Sequence, residues 1–216
     1  MSDIFQEVDE EVRRERLQKL WDQYGHYAIA ACVLIVIAVA GWRGYQWWEA
    51  KQAAETSVKF DAAAQLADSD KHVEAKKAFE EVARDGTAGY RDLARLREAA
   101  ALAETDPKGA VAVYDALAAD SRFGQPLRDL AAIRAGLLLV DSASYDELKR
   151  RLEPLSGASA PFRHTARELL ALGAWRNGNG AAVRQWADMV GSDIETPADI
   201  RSRVDVLATL AAGGKS

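Results

Sequence analysis

Apolar residues recur every three or four positions along most of this chain. That spacing places side chains on one face of an α-helix, and after Trp48 no segment shows the sustained period-2 alternation that is typical of a strand. The pattern predicts nine helices between residues 49 and 216. Their marker residues are Val58, Ala62 and Leu66; Ala75, Phe79, Val82 and Ala83; Tyr90, Leu93, Ala94 and Ala101; Ala110, Val113, Tyr114, Leu117 and Ala118; Leu127, Leu130, Ala131 and Leu138; Tyr145, Leu148, Leu152 and Leu155; Phe162, Ala166, Leu169 and Leu170; Ala182, Trp186, Met189 and Val190; and Ile200, Val204, Leu207 and Ala211.

Prolines divide the chain at the same places. Proline is tolerated in the first turn of a helix, because its missing N–H would have no partner there anyway. Asp106 and Thr196 each precede a proline and are expected to act as N-caps. The prolines that stand where a predicted helix begins are Pro107, Pro126, Pro161 and Pro197.

The predicted helices also repeat in pairs. Residues 90–94 and 127–131 share the pattern Arg-Asp-Leu-Ala after an apolar residue, 37 positions apart, and residues 162–166 continue it after another 35. Helix pairs with a period of about 34 residues are typical of a tetratricopeptide-type solenoid, in which each pair buries its apolar face against its neighbours. The equivalent large residues are Phe79, Tyr114 and Trp186, and the small residues expected at close helix contacts are Ala94, Ala131 and Ala166.

The repeats are degenerate, since the tryptophan–leucine–glycine signature of regular tetratricopeptide repeats is absent. An irregular variant of the solenoid is therefore the prediction, and an unrelated helical bundle is the alternative. The predicted fold class is all-α: a single N-terminal transmembrane helix followed by a degenerate tetratricopeptide-like helical-repeat domain, an α-solenoid.

One segment near the N-terminus is apolar all round. The 20 residues from Gln23 to Trp42 carry no formal charge, and residues 28–40 are wholly apolar. A helix of about 20 residues spans the hydrocarbon core of a bilayer, and amphipathic rings favour its two boundaries. We therefore expect a transmembrane helix over residues 24–45. The flanking aromatic residues are Trp21, Tyr24 and Tyr27 on one side and Trp42, Tyr45, Trp47 and Trp48 on the other.

Two other interpretations of this segment are a buried core helix and a cleaved signal peptide. Ala38-Val39-Ala40 resembles a small-residue cleavage site. The leader before the apolar run contains many acidic residues, however, whereas the n-region of a signal peptide is short and basic. The acidic residues of this leader include Asp3, Glu7, Asp9, Glu10, Glu11 and Asp22.

Basic residues near the two ends of the run predict its orientation. Four precede it and two follow within a comparable distance, which places the N-terminus in the cytoplasm by the positive-inside rule. Residues 1–23 are then a cytoplasmic tail, with a short helix over residues 4–21, and residues 49–216 form a domain on the other side. The basic residues are Arg13, Arg14, Arg16 and Lys19 before the run and Arg43 and Lys51 after it.

Composition and charge narrow the classes of function. Lys and Arg number 28 against 33 Asp and Glu, a net charge of −5, which argues against a general nucleic-acid binder. Alanine contributes 42 residues and favours helices. Cys32 is the only cysteine, which excludes a disulfide scaffold.

No catalytic motif is present in the sequence. Phosphate loops, HExxH, CxxC and the nucleophile elbow are all missing, so we predict a non-enzymatic protein with no catalytic, cofactor-binding or metal-binding residues and no cofactor. His72 and His164 are expected at the surface. Residues 68–70, Asp-Ser-Asp, are expected to cap a helix, with a cation site as the alternative.

Several motifs together resemble a known family. They are a charged stretch over residues 13–21, Tyr-Gly-His-Tyr at residues 24–27, Gly-Trp-x-x-Tyr-x-x-Trp over residues 41–48, and Tyr-x-x-Leu-Ala-x-Leu-x-x-Ala from Tyr90 to Ala99. The chain resembles the ancillary SecYEG translocon subunit family of Gram-negative inner membranes.

The resemblance implies a cell inner membrane protein with a single span, a cytoplasmic N-terminus and a periplasmic repeat domain over residues 49–216. It implies three protein partners, the SecYEG translocon, a membrane-anchored periplasmic prolyl-isomerase-type chaperone and exported clients, besides the lipid bilayer around the span. No nucleic acid or small-molecule substrate is expected. The implied function is to help pass exported chains to periplasmic chaperones. The alternatives are a membrane-anchored repeat adaptor for envelope assembly or cell-division coordination, and an adaptor for an enzymatic partner.

Overall fold

Regular secondary structure is entirely helical in the part of the chain that is described. A computed structural model describes the backbone of residues 3–213 and the side chains of residues 21–213 except residue 28. One 3₁₀ turn, Glu153–Leu155, interrupts the series of α-helices. The α-helices are α1 (Asp3–Asp68), α2 (His72–Asp85), α3 (Ala88–Ala103), α4 (Pro107–Ala119), α5 (Gln125–Leu139), α6 (Tyr145–Leu152), α7 (Arg163–Arg176), α8 (Gly180–Ser192) and α9 (Ala198–Gly213).

The predicted all-α fold class is confirmed, and each predicted segment of the repeat domain falls on a helix. One difference concerns α1, which is a single helix where the sequence predicted three: the tail helix, the span and the first repeat helix. No proline interrupts residues 3–68, and isolated glycines inside a helical pattern do not end it. The side chains of the tail helix and of its basic residues lie outside the described residues.

The chain divides into two compact units, Met1–Ala54 and Glu55–Ser216. In the first unit, the aromatic residues that flank the apolar run are all exposed. Within the described residues, α1 is the one helix long and apolar enough to cross a membrane, and its most apolar window is only 6% buried. That exposure is the opposite of what a core helix of a soluble domain would have.

The second unit contains three successive apolar clusters. Phe79, Tyr114 and Trp186, which the sequence placed at equivalent positions, are buried, one in each cluster. The small residues predicted at close contacts, Ala94 and Ala131 among them, are fully buried. The clusters are centred on Ala63, Ala75, Phe79, Val82, Ala94 and Ala101; on Leu96, Ala99, Ala110, Tyr114, Leu117, Phe123, Ala131 and Ala135; and on Leu148, Leu152, Leu170, Val183, Trp186, Val190 and Val204.

The predicted face of the first repeat helix is confirmed only at Leu66, which packs against the first cluster. Val58 is 68% exposed and Ala62 is also exposed, whereas Phe60 packs against the first cluster and Ala63 is fully buried. Phe60 stacks near Phe79 and Tyr90, with ring centroids 5.4 and 5.6 Å away. Phe60 and Ala63 therefore lie on the side of residues 55–68 that packs within the second unit.

Helix α6 fits between α5 and α7 because both neighbours carry glycine at the contact. A Cβ built on Gly136 would lie 2.7 Å from Leu152 Cδ2, and one on Gly173 would lie 2.5 Å from Leu148 Cδ1. Real Cβ atoms do not approach that closely. Leu148 and Leu152 are fully buried. This helix of 8 residues is therefore held by the packing of these two leucines against the glycines of α5 and α7.

Two of the three predicted caps differ from expectation. Asp106 caps α4 as predicted, since its carboxylate accepts from the Gly109 N–H at 3.0 Å. Helix α2 begins after Lys71 with no side-chain cap, and Asp70 has a left-handed φ of 58°, so the prediction of a capping cluster at residues 68–70 was wrong. The Thr196 hydroxyl donates to the Val190 carbonyl at 3.0 Å and so binds the end of α8.

Candidate functional site

A cleft lined by residues of α3 and α5 is a candidate binding surface in the second unit. It encloses about 420 Å³. We call it the arginine groove. Residues from α1, α3, α4 and α5 line it: Phe60, Leu93, Leu96, Arg97, Ala100, Tyr114, Leu130 and Arg134.

The walls of the arginine groove repeat along the chain. Leu93 and Arg97 are four residues apart on α3, and Leu130 and Arg134 are four apart on α5. Residues at i and i+4 lie on the same helix face, and each wall residue is followed by its equivalent 37 positions later. The repeat therefore places the same apolar–cationic pair on two helices that line one cleft.

The floor of the arginine groove is apolar and well ordered by packing. Tyr114 of α4 is 3% exposed and Leu96 is buried, while Leu93 on the wall is 44% exposed. Phe60 is held by its ring contacts with Phe79 and Tyr90. A partner side chain at the groove would meet mainly apolar side chains, the Tyr114 phenol and two arginines.

The two wall arginines are exposed, and neither has an ion pair or side-chain hydrogen bond among the described residues. Both act electrostatically on the floor. Burial raises the pKa of Tyr114, and the positive charges of Arg134 and Arg97 oppose that rise. The phenol therefore stays protonated at neutral pH and is able to donate a hydrogen bond, beside two cations.

A different arrangement of charged residues lies between α7 and the α8–α9 connection. Arg167 of α7 is 4% exposed and donates to the Ser156 carbonyl at 3.0 Å, the Met189 carbonyl at 3.3 Å and Asp193 Oδ2 at 2.8 Å. Arg163 also donates to Asp193 Oδ2, at 2.8 Å. We call Arg163, Arg167 and Asp193 the polar lock. These hydrogen bonds hold the pKa of Asp193 well below its usual range.

His164 lies against this polar lock and not at the surface as predicted. Its Nδ1 is 3.2 Å from Thr196 Oγ1 and 3.8 Å from Asp193 Oδ2. Burial and the neighbouring charge of Arg163 lower its pKa. The imidazole is consequently neutral at pH 7, and its contacts are those of a packed side chain.

A second hollow lies along α9, with a volume of about 570 Å³. Its wall includes exposed Val206 and Leu210 together with Arg201 and Asp205. Arg201 already donates to the Asp193 carbonyl at 3.1 Å. The two charges on this surface have opposite signs, so it has no net preference for a charged partner.

Among the described residues, no cluster of three or more His, Cys, Asp or Glu side chains is placed to hold a metal ion. Sequence reasoning did not single out Phe60, Arg97 or Arg134. The signal was present, however, in the Leu-x-x-x-Arg pattern that recurs after 37 residues.

Comparison with known families gives one match. The family described as tetratricopeptide repeat-like domain matches residues 18–169, a range that includes every residue of the arginine groove. No curated protein and no solved structure matches the chain.

Proposed function

The chain belongs to the tetratricopeptide repeat-like domain family, and on that premise we propose that it is a non-enzymatic inner-membrane scaffold that binds proteins beside the SecYEG translocon and helps pass exported chains to periplasmic chaperones. Repeat domains of this kind bind protein segments along extended surfaces. Among the described residues, the arginine groove is the surface that we propose for this binding.

The observation that carries the proposal is the combination of one exposed apolar helix with a repeat domain that has an open groove. The first would hold the protein in the bilayer, and the second would bind a segment of another protein. In this proposal the cytoplasmic tail is residues 1–23, the span is residues 24–45 and the periplasmic domain is residues 49–216. A membrane-anchored prolyl-isomerase-type chaperone is the proposed neighbour.

Site-specific photo-crosslinking in intact cells tests this function. A crosslinker is placed at exposed Leu93 in the groove, at Val36 in the span, or at exposed Ile194 as a control on a distant loop. We expect translocon subunits from Val36 and exported chains from Leu93, with neither from Ile194. Crosslinks to envelope-assembly or cell-division proteins would support the alternative adaptor instead.

The orientation is tested separately. A reporter that is active only outside the cytoplasm, fused after Ser216, should be active. Activity of a cytoplasmic reporter at that position would reverse the orientation. A mature chain beginning near Gly41 would show a cleaved signal peptide.

A further inference from the structure

We propose that the arginine groove selects protein segments in which two side-chain carboxylates flank large apolar residues. This inference rests on the proposed function and deepens it, because it names the chemistry by which the domain recognises a partner. It is argued from the charge that folding leaves unpaired.

The first step concerns the use of arginine elsewhere in the unit. Arg95, Arg151, Arg163, Arg167 and Arg203 each form an ion pair with a carboxylate of the chain. Arg97 lies on α3 two residues after paired Arg95, and Arg134 lies on α5. Within the described residues neither has an acidic partner, and both line the same cleft. In a chain with a net charge of −5, acidic partners are plentiful, so the groove is a local cationic site on an acidic protein.

The second step concerns geometry. Guanidinium groups form strong, often bidentate hydrogen bonds with carboxylates. The two arginines occupy equivalent places, 37 residues apart, on α3 and α5, and both line one cleft. A chain terminus supplies a single carboxylate. Two separated cations therefore favour a segment that passes through the groove and supplies a carboxylate to each wall.

The third step concerns the rest of the surface. Leu93, Leu130 and Phe60 line the same cleft as the two cations, and the Tyr114 phenol lies within the electrostatic influence of both. Burial of apolar side chains gives affinity, while the arginines determine register. A purely acidic segment would leave the floor uncovered, and a purely apolar one would leave both cations without partners.

The test uses the full-length chain in detergent micelles and a fluorescent peptide of about twelve residues with an amidated C-terminus. The acidic peptide contains leucine and phenylalanine between two glutamates, and the matched neutral peptide replaces both glutamates by glutamine. Binding is followed by fluorescence anisotropy. We expect the acidic peptide to bind at least about tenfold more tightly than the neutral one. A tenfold change in affinity corresponds to about 1.4 kcal/mol, and a single hydrogen bond to a charged group contributes at least that much.

Two double variants locate the effect. Arg97→Gln with Arg134→Gln should reduce affinity for the acidic peptide by about tenfold or more. Arg91→Gln with Arg150→Gln, two exposed arginines outside the groove, changes the net charge equally and should leave affinity unchanged. Equal losses in both variants, or equal binding of the two peptides to the wild-type chain, would overturn the inference.

A charge exchange keeps the test valid if the glutamine variant folds poorly. Arg97→Glu with Arg134→Glu should gain affinity for the peptide in which both glutamates are lysine, a gain that misfolding does not produce. Absence of that gain in a folded variant contradicts the inference. A neutral peptide with a free C-terminus that binds as tightly as the acidic one would replace it with recognition of a chain end.

The inference and the proposed function fail in different ways. If the acidic peptide does not bind while translocon subunits still crosslink to Val36, only the inference is overturned. If the peptide binds through Arg97 and Arg134 but no translocon subunit crosslinks, the proposed function is overturned and the recognition chemistry stands.

Discussion

Two aspartates at equivalent places in the repeat, Asp120 and Asp193, differ in what surrounds them. Each is the C-cap of its helix, α4 or α8, with ψ of 106° and 107°. Asp120 accepts from Arg95 and from Arg122, whose side chain is 86% exposed. Asp193 instead accepts from Arg163 and Arg167, whose side chains are 14% and 5% exposed.

This difference separates the two halves of the unit. In the C-terminal half, α7 directs its arginines inward and the polar lock holds α7 against the α8–α9 connection. In the N-terminal half, Asp120 is bonded by the more exposed Arg95 and Arg122, and alanine-rich clusters form the core. Arg97 and Arg134 remain available on the surface. Charge that is not used to stabilise the fold is available for binding, and the following variants test that division.

The largest expected effect is on the core of the C-terminal half. Trp186→Ala removes a ring that is 2% exposed and donates from Nε1 to the Tyr145 hydroxyl at 2.9 Å, and we expect a loss of about 3–5 kcal/mol in the free energy of unfolding. The control is Trp175→Ala, which removes a ring 40% exposed and should cost about 1 kcal/mol or less. Urea unfolding of the full-length chain in detergent, followed by circular dichroism, measures both. Equal losses would show that Trp186 is not a core residue.

A smaller loss is expected at the close approach of α6 and α7. Gly173→Ala places a methyl 2.5 Å from Leu148 Cδ1, and because Leu148 is fully buried the neighbours must shift, at a cost of about 1–3 kcal/mol. Gly89→Ala in α3 meets no atom within 4 Å and should stabilise by about 0.4–1 kcal/mol through the unfolded chain. The same unfolding measurement applies. A neutral Gly173→Ala would show that the helices are free to separate.

Acid should weaken the two aspartate sites to different degrees. Hydrogen bonds from Arg122 lower the pKa of Asp120 to about 2, and those from Arg163 lower that of Asp193 further. A carboxyl group with a depressed pKa contributes stability above its ordinary value near 3.8, and that contribution is lost as pH falls through the folded-state pKa.

The thermal midpoint of the wild-type chain should therefore fall between pH 5 and pH 2. Asp193→Asn should be less stable than wild type at pH 7 and show a shallower decline with acid, and Asp120→Asn should show a weaker form of the same change. Melting curves at half-unit pH intervals give the comparison. Parallel acid profiles in wild type and Asp193→Asn would mean that the polar lock does not contribute through ionisation.

The smallest effect on stability should follow from changing the groove arginines. Arg97→Gln with Arg134→Gln removes no ion pair among the described residues, so we expect a change within about 0.5 kcal/mol. Arg163→Gln with Arg167→Gln is the matched change in the polar lock and should destabilise by several kcal/mol, because it leaves buried groups without partners. If the groove variant were as unstable as the lock variant, Arg97 and Arg134 would belong to the fold and not to a binding surface.

The sequence predicted the helices and the large core residues well because both depend on local spacing. Phe79, Tyr114 and Trp186 stood at repeated positions, and the period of three and four identified their helices. At the end of α1 the prediction was right for Leu66 and wrong for Val58 and Ala62. These three residues have helical spacing, but it is Phe60 that contacts Phe79 of α2 and Tyr90 of α3.

The groove and the polar lock could not be predicted in the same way. Both depend on residues distant in the chain, such as Arg167 with Asp193, 26 positions apart. His164 was expected at the surface because its neighbour in space, Thr196, is 32 residues away. The local pattern identifies which residues recur along the chain. The packing of the helices determines which of those residues come into contact.

Trp186, whose indole donates a hydrogen bond to Tyr145, is an intrinsic fluorescent probe of the C-terminal half. Of the tryptophans in the second unit, Trp186 is shielded and Trp175 is open to water, and those of the first unit that are described, Trp21, Trp42, Trp47 and Trp48, are all exposed. With the other tryptophans replaced by phenylalanine, fluorescence would come from the C-terminal half alone. Resistance of that emission to acrylamide quenching would then report on the integrity of this half during partner binding, without any attached dye.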